Sequence, residues 1–333
     1  MTAIERIPLR VVHHGRHDPS DRHGGVEAFA RRLTDVFERV EFTWSGKRGL
    51  RALARERPLV ICDNDTVLDW PRDVPLMAFQ HGVAWQKVRV TRRLTDARMA
   101  LRQWFAAARA RTVWVACAHW IADAFAGVRR SAPQHVVYHH VDTSQFDGVL
   151  NNSGSRLVLH DARTPHKGAA IIPFLAAVLP QWRFEALACR PEDVAQRLRT
   201  AAAFVHLSRY EGNSIVCLEA MAMNLPCIFT DVGLARDVAP GHVRLDVGLL
   251  DAKRAFRDPE YAAIEIGRLL AAMRMHPPAP REFVQTRATP EIARMAWRRV
   301  LADFATRTDR ALDLGCDPKL VVDGGADGVG ARV

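Results

Sequence analysis

The sequence contains no run of about 18 apolar residues, the length a membrane-spanning helix requires, and Met1 to Arg10 has no apolar stretch of the kind that directs secretion. The expectation is a cytoplasmic protein. Its six cysteines (Cys62, Cys117, Cys189, Cys217, Cys227 and Cys316) include no Cys-x-x-Cys pair. Neither a disulfide framework nor a zinc site is therefore expected, and the thiols read as small buried hydrophobes. There is no repeat of solenoid length, and no helix-turn-helix, zinc-finger or RNA-binding aromatic signature.

What is present is an ordinary globular composition, 48% hydrophobic and 25% charged, in 333 residues. That length exceeds one typical core and favours two domains. A formal net charge of +10 draws polyanions to the surface: nucleic acid, anionic lipid or phosphorylated ligands. Charge alone does not choose among them.

Short apolar runs at Leu9–Val12, Pro58–Cys62, Leu76–Phe79, Val113–Ala116 and His135–Tyr138 alternate with helical patterns, as in a parallel doubly wound sheet. His13 to His23 reads as a polar loop, with Gly24-Gly25 opening a helix. Asn151 to Ser155 reads as a linker. The pattern then restarts, with strands at Leu157–His160, Phe184–Ala188, Ala203–Leu207 and Pro226–Thr230 and a helix at Ala169–Leu179. The expected organisation is a first Rossmann-like domain over 1–150, a second over 151–289, a helix over 290–310 returning to the first, and a flexible tail over 311–333.

The segment most specific for chemistry runs Ser208-Arg209-Tyr210-Glu211-Gly212-Asn213-Ser214-Ile215, continues to Glu219-Ala220-Met221-Ala222, and is followed by Leu225-Pro226 and Thr230-Asp231-Val232-Gly233. A strand ends before it, the turn Glu211–Ser214 exposes backbone N–H groups, and a helix starts with its positive end facing that turn, where anions and hydroxyls bind. Two glutamates separated by seven residues, a small-residue turn, and a Leu-Pro strand resemble the donor motif of the family-4 retaining glycosyltransferases, the glycosyltransferase group 1 enzymes of GT-B fold. The similarity spans most of Leu9 to Phe304.

The resemblance implies two Rossmann-like doubly wound domains facing across a cleft, and a retaining, metal-independent transfer of a sugar from a nucleoside-diphosphate sugar to a hydroxyl of a glycan, glycolipid or natural product. It assigns Glu211 to the sugar hydroxyls and the anomeric charge, Glu219 to the ribose, and main-chain donors to Gly212, Asn213, Ser214 and Ile215. Arg163 and Lys167, in Arg163-Thr164-Pro165-His166-Lys167-Gly168, would hold the diphosphate and offset its growing charge. Gly24 and Gly25 match the family's glycine-rich loop at a helix start. His81, in Phe79-Gln80-His81-Gly82, stands where the family places a histidine facing the donor sugar; an ordinary strand-end histidine is the other reading. His139-His140-Val141-Asp142 stands at the hinge and receives no chemistry. The stretch from Trp182 to Phe204 is shorter than in the family, so the nucleotide is not implied.

Three further features remain open. Lys87 to Thr112 has a helical pattern carrying eight basic residues against the single acid Asp96; with Trp85, Trp104 and Phe105 it suggests contact with an anionic membrane surface, or a solvated basic helix. His13, His14, His17 and His23 suggest a metal cluster or simply a loop over the cleft. Asp63-Asn64-Asp65 is the string a metal-dependent GT-A enzyme would use, and reads here as a strand-end turn. A non-catalytic nucleic-acid-binding protein is the alternative of another class. No metal or cofactor is expected.

Overall fold

The computed structural model describes residues 6–21, 24–126, 135–162, 164–238, 247–275 and 279–314. The first part of the chain runs β1 (Ile7–Gly15), α1 (Gly25–Arg32), β2 (Phe37–Trp44), α2 (Leu50–Arg55), β3 (Leu59–Asp63), β4 (Leu76–Gln80), α3 (Ala84–Thr91), α4 (Leu94–Ala107), β5 (Thr112–Ala116), α5 (His119–Ala126) and β6 (His135–Val136). These strands pair in parallel in the order β2-β1-β3-β4-β5-β6. Strands β3 and β4 are buried at every position, because helices cover both faces of a parallel sheet and leave no side for polar residues.

The pattern restarts with β7 (Leu157–His160), α6 (Ile172–Val178), β8 (Arg183–Ala186), α7 (Val194–Arg199), β9 (Ala203–His206), α8 (Ile215–Ala222), β10 (Cys227–Thr230), α9 (Ala235–Val238), β11 (Gly248–Leu250), α10 (Ala252–Arg257) and α11 (Pro259–Met275). Its sheet is also parallel, in the order β11-β10-β9-β7-β8. Two more helices, α12 (Arg281–Arg287) and α13 (Pro290–Thr308), follow. Thr289 caps α13 by accepting from the Ile292 N–H. That helix crosses back to the first sheet: Trp297 is buried against Phe37 and stacks on Phe79 with ring centroids 5.8 Å apart.

Each sheet has one place where the strand order reverses, between β1 and β3 in the first and between β7 and β9 in the second. Ligands of open parallel sheets bind at the carboxyl ends of strands at such a switch point. Both switch points here carry clusters of charged side chains.

Two expectations need correction. β1 extends to Gly15, so His13 and His14 lie in a strand and are buried, not in a loop. Burial is tolerated because each imidazole has a carboxylate partner: His13 Nε2 lies 3.0 Å from Asp63 Oδ1, and His14 Nε2 lies 3.1 Å from Asp69 Oδ2. The basic stretch from Lys87 is two helices, broken at Arg92, whose φ of +52° ends α3.

Candidate functional site at the facing sheet ends

At the second switch point, Asp161 follows β7, Lys167 lies on a single 3₁₀ turn just beyond it, His206 ends β9, and Glu211 stands in the turn before α8. Gly168 closes the lysine turn with φ +78°, and a Cβ there would stand 2.6 Å from the Leu207 Cβ, so glycine is required both by conformation and by space. Lys167 Nζ bridges two carboxylates, Asp161 Oδ2 at 3.0 Å and Glu211 Oε2 at 3.1 Å. Burial opposes its charge, but the two carboxylates overcome that and raise its pKa.

His206 Nδ1 lies 2.7 Å from Asp161 Oδ1, and its Nε2 3.6 Å from Glu211 Oε2. Burial acts against a charged imidazole, yet Asp161 and the neighbouring Cys217 raise its pKa well above the ordinary value. Burial likewise favours a neutral Asp161, but His206 and Lys167 hold it below the usual carboxylate range. The cluster is therefore two cations alternating with two carboxylates.

The turn leading into α8 meets the first domain directly. A Cβ on Gly212 would overlap the His81 carbonyl oxygen. Asn213 Nδ2 donates to the Cys117 carbonyl at 2.6 Å, Trp120 Nε1 to the Gly212 carbonyl at 3.2 Å, and the Val83 N–H to Tyr210 Oη at 2.7 Å. Asp237 accepts from the first N–H groups of α5, His119 at 2.7 Å and Trp120 at 3.0 Å, and from the Tyr138 hydroxyl. Ser214 precedes α8 without a side-chain cap, leaving the helix's first N–H groups to the turn.

At the first switch point, His13 and His81 both donate from Nε2 to Asp63 Oδ1, at 3.0 and 2.7 Å. Burial would raise the Asp63 pKa, but the two imidazoles hold it below the carboxylate range. The ring of His81 thus turns to Asp63, Phe29 and His139, and its carbonyl, not its ring, meets the glutamate turn. Gly24 precedes α1, and the space beside Gly25 is open.

Of the residues singled out in the sequence, Glu211, Gly212, Asn213, Ser214, Ile215, Lys167 and His81 converge here. Arg163 lies outside the described residues. Glu219 does not present a free carboxylate: Arg32 of α1 donates to it across the domain boundary and also to the His140 carbonyl. Burial raises the Glu219 pKa, and Arg32 works against that. Asp161, His206 and Arg32 were not anticipated. The first two carried a signal, since each is a charged or titratable residue where an apolar strand reaches the motif; Arg32 carried none, because its partner is 187 positions away.

The Asp63-Asn64-Asp65 string is a strand-end turn, with Asn64 at φ +47°. Both carboxylates are engaged, Asp63 by the two histidines and Asp65 by Arg16 and Arg102. Among the described residues no group of three His, Cys, Asp or Glu side chains is arranged to hold a metal ion, and no helix is long and apolar enough to cross a membrane.

Two parallel α/β sheets facing one another at their carboxyl ends are the GT-B fold. Sucrose-phosphate synthase from Thermosynechococcus elongatus superposes with a TM-score of 0.70 at 14% identity, over 89% of this chain and 99% of that one. HepE of Anabaena in complex with UDP-glucose gives 0.63 at 16%, over 90% and 100%. The lipopolysaccharide outer core galactosyltransferase WaaB gives 0.58 at 11%, over 89% and 99%. Residues 176–272, which include both Glu211 and Glu219, match the family described as Glycosyl transferases group 1. No curated protein sequence matches the chain. Fold and family match together support a sugar-transferring enzyme.

Proposed function

We propose that the protein is a retaining glycosyltransferase of the family-4 type that takes a sugar from a nucleoside-diphosphate sugar without a metal ion. The observation that carries this reading is the meeting of Lys167 and Glu211 at the reversal point of the second sheet, 3.1 Å apart and beside the uncapped start of α8. Donor binding exchanges partners within this cluster. Lys167 turns from Glu211 to the diphosphate and, with the α8 N–H groups, offsets the charge that grows there as the glycosidic bond breaks. Glu211, released, faces the sugar, and Glu219 exchanges Arg32 for ribose hydroxyls. The contact between Gly212 and the His81 carbonyl must open for the sugar to enter and close again behind it.

HepE binds UDP-glucose, which makes a uridine diphosphate sugar the first donor to test; the acceptor is a hydroxyl of a glycan, glycolipid or natural product. WaaB acts in the lipopolysaccharide outer core, and a membrane carrying such an acceptor fits against the exposed face of α4, where Leu94, Leu101, Trp104 and Phe105 stand out to solvent beside Arg98. Such a face lies on an anionic leaflet from the cytoplasmic side. The test is a thermal-shift screen of UDP-, GDP-, ADP- and dTDP-sugars with chelator present. One nucleotide stabilises the wild type and fails to stabilise Lys167→Ala; a response that requires a divalent cation contradicts the reading.

A further inference from the structure

A cleft of about 800 Å³ opens between α3 and α5 of the first domain and the ends of β9, β10 and β11 in the second. Five cations line it: Arg89, Arg209, Arg236, Lys253 and Arg257. Among the described residues none of the five is in an ion pair. Two guanidinium groups are instead held over aromatic rings, Arg236 at 5.5 Å from Trp120 and Arg209 at 5.7 Å from Phe256. That stacking leaves their terminal N–H groups for a ligand, while the Arg236 Nε donates to the Asp231 carbonyl at 3.5 Å.

The carboxylates that reach the cleft are committed. Asp231 accepts the Ala252 N–H and Asp251 the Arg254 N–H, each at 2.8 Å, while Glu211 is paired with Lys167. The cleft is thus positive overall and shaped by both domains. Its size suits a ligand of one or two sugar rings.

The strand order separates this cleft from the diphosphate site. Lys167 follows β7, on one flank of β9, whereas the cleft follows β10 and β11 on the other. Glu211 lines the cleft; Lys167, Ser214 and Glu219 do not. A molecule in the cleft therefore reaches Glu211 without occupying the place that Lys167 offers to the diphosphate. We propose that this is the acceptor's site, and that the acceptor is a sugar carrying an acidic group, a phosphate or a carboxylate, which the arginine forks bind in bidentate fashion. This deepens the glycosyltransferase reading and rests on it.

The experiment is titration calorimetry at low ionic strength with glucose 6-phosphate, glucuronate, glucose and UDP as probes, on wild type, Lys167→Ala and the single variants Arg209→Ala and Arg257→Ala. The two acidic sugars bind and glucose does not. Each arginine variant weakens acidic-sugar binding roughly 10- to 100-fold, the value of one charge-assisted hydrogen bond, and leaves UDP binding in place. Lys167→Ala does the reverse. Equal binding of glucose and glucose 6-phosphate, no binding of either acidic sugar, or binding indifferent to both arginines overturns the proposal even if UDP still binds. A parallel arm uses phosphatidylcholine vesicles with and without phosphatidic acid: if the arginine variants lose only vesicle binding, the cleft takes a lipid headgroup and the sugar-acid proposal fails. Loss of UDP binding from the wild type would instead count against the donor site.

Discussion

Replacing His206 by glutamine keeps a hydrogen-bond donor beside Asp161 but removes the buried positive charge. Asp161 then loses one charge-assisted partner and retains Lys167. A hydrogen bond to a charged group is worth about 1.5–3 kcal/mol, which at roughly 2–4 °C per kcal/mol lowers the melting temperature by about 3–12 °C. The loss depends on pH with a definite sign. Burial opposes charge on His206, but Asp161 and Cys217 raise its folded pKa well above the ordinary value. An unfolded histidine titrates near pH 6.5, so its contribution is complete below that pH. Above it the native state keeps a proton that the unfolded state has released, and the contribution falls away as pH rises through the raised folded value. Scanning calorimetry of both proteins therefore shows the largest deficit for His206→Gln near pH 6 and a smaller one near pH 9. A deficit that is constant, or that grows with pH, refutes the charged, buried histidine.

Gly212→Ala places a methyl group on the His81 carbonyl and prevents closure of the interface; turnover falls on the order of 10²-fold while circular dichroism and the melting temperature of the second domain stay near wild type. Arg32→Gln leaves Glu219 buried without its cation and costs about 3–5 kcal/mol. If ribose hydroxyls take the place of Arg32, the bound donor nucleotide stabilises this variant more than it does the wild type; equal stabilisation removes Glu219 from the donor site. Trp297→Ala deletes the stacked anchor of α13 on the first sheet and costs about 3–5 kcal/mol by denaturant unfolding; a loss under about 1 kcal/mol would show that α13 is held elsewhere.

Both sheets were legible because buried parallel strands read as unbroken apolar runs, as in Leu76–Gln80 and Cys227–Thr230. The edge strand Phe37–Trp44 was not, since its alternating, half-exposed residues lack such a run. His13 and His14 were misplaced for a similar reason: a histidine counts as polar until its carboxylate, 50 or 55 positions further on, comes alongside. Arg92 broke the basic stretch through a positive φ that no local pattern signals. In the site, Glu211 and Lys167 were legible through the motif that resembles the family. Asp161 and His206 owe their charge to one another, a property of the fold and not of either local segment. The Arg32–Glu219 pair joins two domains, so only the folded chain reveals it.

The central claim is that Glu211 faces the breaking glycosidic bond. Turnover of the donor that stabilises the wild type, followed with chelator present in wild type and Glu211→Gln, tests it most directly. The account predicts a fall in kcat of roughly 10²–10³ with the KM for the donor changed far less; undiminished turnover in Glu211→Gln, or activity that appears only with a divalent cation, contradicts it.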